Sequence, residues 1–240
     1  MEQMERCIDW LKEQVSSTGA RGLIVGLSGG IDSALVGYLI AQACPDESLG
    51  VILPCHSNEE DREDAILAAK AVKLPWLELD LSSVHSSIWE EANGLLGLNP
   101  GENKGANGNL RARLRMSALY TIASLKNYLV VGTDNKAEYY VGYFTKYGDG
   151  GVDLLPIASL SKGQVYLWAK EAGIPEKLLQ KAPSAGLWPG QTDEGEMGLS
   201  YSVIDGYLEG KEVPEEARER IEKLHRITEH KRQTPPQFIL

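Results

Sequence analysis

Short apolar runs alternate with longer segments of helical periodicity along most of the chain. The runs predict buried strands, because each is too short for a helix and is bounded by polar or turn-forming residues. Five runs qualify, the last being the weakest candidate: Leu23–Leu27, Leu49–Pro54, Trp76–Leu81, Tyr128–Gly132 and Leu154–Ser159. The helical segments between the first four are Asp32–Cys44, Asn58–Lys73 and Leu110–Lys126. Strands that alternate with helices favour βαβ units, so we expect an α/β fold, a three-layer sandwich with a parallel sheet of about five strands.

Two further helices are predicted in the second half of the chain. Ser161 and Gln164 have the spacing of a capping box, and Gly173–Pro175 is typical of a helix stop. Near the C-terminus, apolar residues recur at helical spacing with charged residues elsewhere; the stripe consists of Ala217, Ile221, Leu224 and Ile227.

Three segments predict loops, since they are rich in glycine, asparagine or proline: Leu98–Asn109, Thr145–Val152 and Ala182–Glu196. Long loops in a compact domain are often functional. The 240 residues suit one large domain, so we expect residues 1–240 to form a single domain.

Charge and cysteine content narrow the class of protein. With 24 Lys and Arg against 34 Asp and Glu, the net charge is −10, which disfavours binding to nucleic acid or to anionic membranes. No apolar stretch is long enough to span a bilayer, and the first residues lack the apolar region of a signal peptide. The three cysteines, Cys7, Cys44 and Cys55, have no metal-binding spacing. We therefore expect a cytoplasmic protein with reduced thiols and with neither nucleic-acid nor membrane partners.

The strongest motif, Gly26–Ser33, leaves an apolar strand and opens a helix. Adjacent glycines allow the backbone N–H groups to approach a ligand, and the helix N-terminus adds partial positive charge, so this junction predicts an anion site. Ser28 and Ser33 can donate hydrogen bonds to phosphate oxygens. Asp32 would repel a phosphate unless a cation lay between them, which favours Mg²⁺.

Other phosphate-binding motifs do not match. A G-x-x-x-x-G-K-[ST] loop counted from Gly26 would need glycine at Ile31 followed by lysine, and a G-x-G-x-x-G fingerprint is absent. Ser28–Ser33 instead resembles the signature of the N-type ATP pyrophosphatases, which cleave ATP between the α- and β-phosphates. The resemblance implies the adenine nucleotide alpha hydrolase-like fold.

Downstream segments are similar to one branch of that superfamily, the ammonia-dependent NAD synthetases. The matching segments occur in the same order: Gly132–Glu138, Phe144–Pro156, Ser161-Lys162 and Thr228–Arg232. The run that begins at Phe144 is the element specific to that family. The resemblance covers nearly the whole chain, from about Ile24 to Arg232.

The resemblance implies two substrates and a metal ion. ATP would contact the residues Gly26, Leu27, Ser28, Gly29, Gly30, Ile31, Asp32, Ser33, Thr133, Lys162 and Ser184. Nicotinic acid adenine dinucleotide (deamido-NAD) would contact Arg113, Lys146, Asp153, His230 and Lys231. Mg²⁺ would bind Asp32 and Glu138. A homodimer with its sites at the subunit interface is also implied.

In the implied reaction, ATP first adenylates the nicotinate carboxylate. Ammonia then attacks the activated carbonyl and displaces AMP, giving NAD. Lys162 and Asp32 are the expected catalytic residues, and we hypothesise that Asp149 accepts a proton from bound ammonium. The length leaves no room for an amidase domain that would release ammonia from glutamine, so we expect free ammonia as the nitrogen donor.

Residue by residue, simpler interpretations stay open. Glu138 suits the first turn of any helix, Lys146 suits a solvated loop, and the cationic residues from His230 suit a helix C-terminus. The arginines at 111, 113 and 115 cannot all share one helix face. The alternative functions are another adenylating ATP pyrophosphatase and a non-catalytic adenine-nucleotide sensor, the latter having no need of Asp32 and Glu138 as a metal pair.

Overall fold

Four parallel strands form the sheet in the computed structural model, which describes residues 2–99, 101–184 and 191–239. The strands are β1 (Gly22–Leu27), β2 (Ser48–Ile52), β3 (Trp76–Glu78) and β4 (Tyr128–Val131). Their order in the sheet is β3-β2-β1-β4, so β1 is central and is joined to both neighbours in parallel register.

Helices cover both faces of this sheet. They are α1 (Glu2–Thr18), α2 (Ile31–Ala43), α3 (Glu59–Ala71), α4 (Ser82–Leu96), α5 (Lys104–Lys126), α6 (Lys136–Val141), α7 (Lys162–Glu171), α8 (Glu176–Leu179), α9 (Asp193–Met197), α10 (Tyr201–Leu208) and α11 (Glu215–Ile227). A short 3₁₀ turn, Glu229–Lys231, follows α11.

Alternate residues of β1 face opposite layers, as expected for a strand buried on both sides. Leu23, Val25 and Leu27 pack with α1, α2, α3 and α7, whereas Ile24 packs with α5. The three-layer α/β architecture predicted from the hydrophobic pattern is therefore confirmed. A third apolar cluster, formed by α6, α9, α10 and α11, lies beyond the carboxyl end of β4.

The predicted fifth strand is wrong in its extent. Among the described residues only one bridge, between Val131 and Leu154, continues the sheet. Pro156 follows two residues later and has no N–H for a ladder, which is one reason that pairing stops there. The third strand is also shorter than Trp76–Leu81, because it ends at Glu78 where its partner β2 has ended.

Two predicted loops are partly helical. The segment Leu98–Asn109 was expected to be irregular, but α5 begins at Lys104, because helix packing overrides the low helix propensity of its glycines and asparagines. Likewise α9 starts at Asp193, inside the expected loop Ala182–Glu196; residues 185–190 of that loop lie outside the described residues.

The predicted helix ends in the second half are confirmed. Ser161 caps α7 and forms a capping box with Gln164, and the chain leaves that helix through Gly173. The stripe on α11 packs inward through Ala217, Ile221 and Leu224, but Ile227 is 56 % exposed. Across the described residues, no helix has the combination of length and apolarity that crossing a bilayer requires.

Candidate active site

The loop Gly26–Ser33 joins the carboxyl end of β1 to α2 and is shaped by its own side chains. Ser33 is buried, accepts a hydrogen bond from the Ser28 N–H and donates to the Gly30 carbonyl. Gly29 has a φ of +78°, and a Cβ there would lie 2.7 Å from the Asp61 carbonyl oxygen. Glycine is thus required both by backbone conformation and by the close approach of α3.

A lysine and two carboxylates meet beside this loop. The Lys162 ammonium lies 2.6 Å from Asp32 Oδ2 and 3.8 Å from Glu138 Oε1. The exposed fractions of these side chains are small, at 4 % for Lys162, 18 % for Asp32 and 12 % for Glu138. The three predicted residues are therefore brought together in a largely desolvated cluster, where electrostatic interactions are strong.

Two capping boxes place these charges. Asn135 caps α6, and its backbone N–H donates to the Glu138 carboxylate in the first turn of that helix. The Asn135 side-chain amide also donates to Asp32 Oδ1 at 3.1 Å. Ser161 caps α7, so that Lys162 is its first residue. A cation there opposes the helix dipole, and its carboxylate partners offset this cost.

The protonation states of the cluster follow from its burial and from the short distances between its charged groups. Burial, and then the neighbouring Asp32 carboxylate, raises the pKa of Glu138 to about 7. Burial opposes the charge on Lys162, but attraction to Asp32 and Glu138 outweighs it, so the pKa of Lys162 lies above its ordinary value. The lysine therefore carries its charge near neutral pH.

Tyr201 is a site residue that sequence reasoning missed. Its hydroxyl lies 2.6 Å from Glu138 Oε1 and 3.0 Å from Asp193 Oδ2, and the Lys162 ammonium stands 4.6 Å from the centre of its ring. Tyr201 thus connects the charged cluster to α9. A buried tyrosine at the start of a helix looks like a core residue in sequence, so no local signal distinguishes it.

The cluster borders a cavity of about 510 Å³ at the carboxyl ends of β1, β2 and β4. Ligands of open α/β sheets bind at this edge. The predicted residues that line it are Gly26, Leu27, Ser28, Gly30, Ile31, Asp32, Ser33, Thr133, Glu138, Asp149, Ser184 and Lys231. Ser184 donates to the Gln191 carbonyl at 2.8 Å.

Further acids surround the cavity. Asp134 is buried, and this burial together with Asp149, Glu138 and Asp32 raises its pKa well above the ordinary value. Desolvation within the cavity likewise raises the pKa of Asp149, although the Thr145 N–H donates to it at 3.0 Å. Lys231 donates to the carbonyls of Gly142 and Phe144, and thereby fastens the C-terminal turn to this wall.

Six predicted residues do not line this cavity: Gly29 of the loop, Lys162 of the charged cluster, and Arg113, Lys146, Asp153 and His230. Arg113 is exposed and donates to the Lys146 carbonyl, while Lys146 donates to the His230 carbonyl at 2.5 Å. The Asp153 carboxylate accepts hydrogen bonds from the Tyr120 hydroxyl and the Val130 N–H. Arg113, Lys146, Asp153 and His230 thus lie outside the cavity wall in the single chain.

A different arginine lines the cavity. Arg115, two residues after Arg113 on α5, donates to the Leu53 carbonyl at 3.0 Å and to the Ser57 hydroxyl at 3.1 Å. As expected, the alternating arginines of this helix do not share one face. The spacing alone could not show which of them faces inward.

Comparison with known proteins agrees with the geometry. The sequence profile of the NAD synthase family matches residues 3–235. The NH(3)-dependent NAD(+) synthetase of Alkaliphilus oremlandii is 55 % identical, over 98 % of this chain and 96 % of that protein.

The structure of NMN synthetase from Francisella tularensis has a TM-score of 0.93 at 37 % identity, covering 100 % of this chain and 98 % of that one. The NH3-dependent NAD synthetase from Campylobacter jejuni has a TM-score of 0.82 at 27 % identity, covering 99 % and 98 %. The chain belongs to the NAD synthase family.

Proposed function

We propose that this chain catalyses the ATP-dependent amidation of deamido-NAD by ammonia, giving NAD, AMP and pyrophosphate. The observation that carries the proposal is the Lys162, Asp32 and Glu138 cluster beside a phosphate loop, in a chain 55 % identical to a named NH(3)-dependent NAD(+) synthetase. A non-catalytic nucleotide sensor would not need two carboxylates crowded beside the loop.

The chemistry explains the need for ATP. A carboxylate resists attack by ammonia, because an oxide would have to leave. In the first step, the nicotinate carboxylate attacks the α-phosphorus of ATP, and the bond to pyrophosphate breaks. In the second step, ammonia attacks the acyl-adenylate carbonyl, and AMP leaves.

The first step needs alignment and charge neutralisation, and the ATP end of the cavity supplies both. The N–H groups of Gly26–Ser33 face the phosphates. The Lys162 ammonium, released from part of its pairing with Asp32, neutralises charge that develops on pyrophosphate. Thr133 and Ser184 border the same space and contact the nucleotide.

Asp32 and Glu138 would hold Mg²⁺. Oxygen donors suit this ion, which commonly takes one or two protein carboxylates with substrate phosphates and water. Burial, and then the neighbouring Asp32 carboxylate, raises the pKa of Glu138, and a divalent cation would favour the charged carboxylate again. Within the described residues no three His, Cys, Asp or Glu side chains form a metal-holding group by themselves, so phosphate oxygens would complete the ligand set. When bound, Mg²⁺ neutralises charge on the phosphates.

The second step needs a proton acceptor, since most ammonia is protonated at neutral pH. Asp149 borders the cavity, and its raised pKa suits this role. We assign it the acceptance of one proton from ammonium. Closure of residues 145–152 over the site would keep water from the acyl-adenylate.

A second copy of the chain would complete the deamido-NAD site. Arg113, Lys146, Asp153 and His230 lie outside the cavity wall, while Val84, Ile88 and Leu95 form one exposed apolar face of α4. We therefore propose a homodimer that buries α4 and α5; a monomeric mass by light scattering, with full activity, would contradict it.

We further propose that residues 1–240 act as one NAD synthetase domain, and that the protein works in the cytoplasm. Three unpaired cysteines fit a reducing compartment. Free ammonia should support the reaction, because the relatives that are 55 % and 54 % identical are named NH(3)-dependent NAD(+) synthetases.

The decisive experiment mixes the protein with ATP, Mg²⁺, deamido-NAD and ammonium, and follows NAD, AMP and pyrophosphate. Equal amounts of the three products are expected. Pyrophosphate that forms only with a different acid substrate would indicate another adenylating enzyme. ATP binding without any pyrophosphate would indicate a sensor.

A second candidate substrate is nicotinic acid mononucleotide. It is favoured by the likeness to a structure described as NMN synthetase, at a TM-score of 0.93. The more similar relative in sequence is named for NAD, at 55 % identity, so the dinucleotide is the first candidate. The same assay with each acid decides between them by the ratio of the two kcat/KM values.

A further inference from the structure

Asp64 is a fully buried carboxylate on α3, a helix rich in exposed charge. A carboxylate in this position is costly unless it is paired. Two lysines satisfy it: Lys177 lies 2.6 Å from Oδ1, and Lys181 lies 2.6 Å from Oδ2. Burial opposes the charge, but the two ammonium groups outweigh it and hold the pKa of Asp64 below its ordinary value.

The helix that carries Asp64 is the support beneath the phosphate loop. A Cβ on Gly29 would lie 2.8 Å from the Asp64 Cβ and 2.7 Å from the Asp61 carbonyl oxygen. The three atoms nearest to that Cβ position all belong to α3, so the loop and the helix are in direct contact. A displacement of α3 near Asp64 would therefore move the backbone N–H groups that face the phosphates.

The two lysines differ in what they connect. Lys181 lines the nucleotide cavity, also pairs with Asp61 at 2.8 Å, and precedes Ser184 by three residues. Lys177 is 51 % exposed and does not line that cavity. One carboxylate thus holds a lysine of the cavity wall with one oxygen and a surface lysine with the other.

We propose that Asp64 is a positioning residue for nucleotide binding, which acts through Lys181 to hold residues 181–184 against the phosphate loop. The inference rests on the proposed function only for the identity of the nucleotide. Asp64 does not line the cavity and contacts no substrate, so its effect on affinity is indirect. Loss of the Asp64–Lys181 bond leaves the chemical groups present but the cavity wall misplaced.

The test compares four variants: Asp64→Asn, Lys181→Met, Lys177→Met and the double variant Asp64→Asn/Lys181→Met. Affinity for the α,β-methylene analogue of ATP is measured by calorimetry, kcat and KM for ATP by steady-state assay, and stability by urea unfolding. Asp64→Asn and Lys181→Met should each raise the Kd and KM for the nucleotide about tenfold, the size of effect expected from a misplaced binding group, with a smaller change in kcat.

The control and the double variant separate positioning from plain stabilisation. Lys177→Met removes the other partner of the same carboxylate but should change the Kd by less than about twofold. The double variant should bind no more weakly than the weaker single variant, because both changes remove one interaction. A Lys177→Met defect equal to that of Lys181→Met would overturn the proposal.

Two other results would also overturn it: defects that multiply in the double variant, and an Asp64→Asn protein that binds the analogue normally while Lys181→Met does not. If Asp64→Asn fails to fold, Asp64→Glu, which keeps the charge but displaces the carboxylate by one methylene group, replaces it in the same comparison and should also raise the Kd. The calorimetry needs no acid dinucleotide, so wild-type protein that forms no NAD would count against the proposed function alone.

Discussion

The two ends of the proposed active site are built in different ways. At the ATP end, Asp32, Glu138 and Lys162 are mostly buried, bonded to one another and fixed by helix caps. At the deamido-NAD end, Arg113 and His230 are exposed and are linked to the loop of Lys146 through backbone carbonyls. The difference teaches that one chain can preorganise the groups for phosphate chemistry. The groups proposed to recognise the second substrate must instead be ordered by that substrate or by a second subunit.

Burial explains the contrast. Paired charges in a desolvated cluster interact strongly and lose little entropy when ATP binds, because they are already ordered. Exposed side chains are hydrated and adopt many rotamers, so each contributes less to affinity. Substitutions at the ATP end should therefore have large effects on chemistry, and substitutions at the other end should have small effects on affinity.

The largest effect is expected from Lys162→Ala. Removal of one preorganised cation should lower the rate of adenylation by about 10²–10³. Single-turnover formation of pyrophosphate measures this rate directly. Lys170→Ala, which changes an exposed lysine of the same helix, serves as the control. A near-normal rate in the Lys162 variant would refute the role of this residue.

Asp149→Asn should have the next largest effect, because the amide cannot accept a proton from ammonium. A loss of about 10²-fold in NAD formation is expected, at the low end of general acid–base effects, while pyrophosphate formation changes less. Initial rates across pH and ammonium concentration measure it. If the variant kept the wild-type dependence on both, Asp149 would have no part in ammonia activation.

Tyr201→Phe isolates the hydroxyl that joins the cluster to α9. The ring and its contact with Lys162 remain, but hydrogen bonds to Glu138 and Asp193 are lost. We expect kcat to fall about tenfold, as for the loss of a hydrogen bond to a charged group. Tyr207→Phe, which removes a weak bond to Glu222 at 3.4 Å, is the matched control. Equal activity of the two variants would show that the link has no role.

Glu138→Gln tests, through the pH dependence of the free energy of unfolding, whether the buried Glu138 carboxylate beside Asp32 destabilises the folded protein when it ionises. Because the folded pKa of Glu138 is raised to about 7, the unfolded chain loses this proton at lower pH than the folded protein does. Ionisation therefore destabilises the folded protein progressively from about pH 4.5 to pH 7. In the absence of ATP, the free energy of unfolding of the variant relative to that of wild type should rise by about 2 kcal/mol between pH 5 and pH 7.5. Urea unfolding at the two pH values measures the difference, and a constant offset would contradict the prediction.

The smallest effect is expected from Arg113→Ala. An exposed cation contributes modestly, so the KM for deamido-NAD should rise about threefold with the KM for ATP unchanged. Steady-state titration of each substrate separates the two constants, with Lys126→Ala at the end of the same helix as the control. A hundredfold loss in kcat instead would remove the contrast between the two ends.

How well the sequence predicts a structural feature depends on how far apart in the chain the residues that determine it lie. The strand–turn–helix junction at Gly26–Ser33 and the α7 capping box are local, because turn and cap chemistry act within a few residues, and both are confirmed. The helical start of α5 was missed, since tertiary packing there outweighs the propensities of Gly105 and Gly108. The prediction of a fifth strand was wrong in extent, because an apolar run does not reveal whether the neighbouring strand extends far enough to pair with it.

The same reasoning applies within the site. Asp32 and Glu138 are predictable from a motif, but the partners that fix them are not. Tyr201 and Asn135 reach them from elements far away in sequence. Likewise the choice between Arg113 and Arg115 depends on the rotation of α5 against the sheet, which spacing cannot determine.

The Asp32–Lys162 ion pair has a consequence for folding kinetics. It joins residues that are 130 positions apart in the chain, so it closes a long loop and cannot form before the sheet and α7 have docked. Interactions that form after the transition state mainly control the rate of unfolding. The Asp32–Lys162 pair therefore contributes mainly to kinetic stability, and its loss should speed unfolding while leaving the rate of folding nearly unchanged.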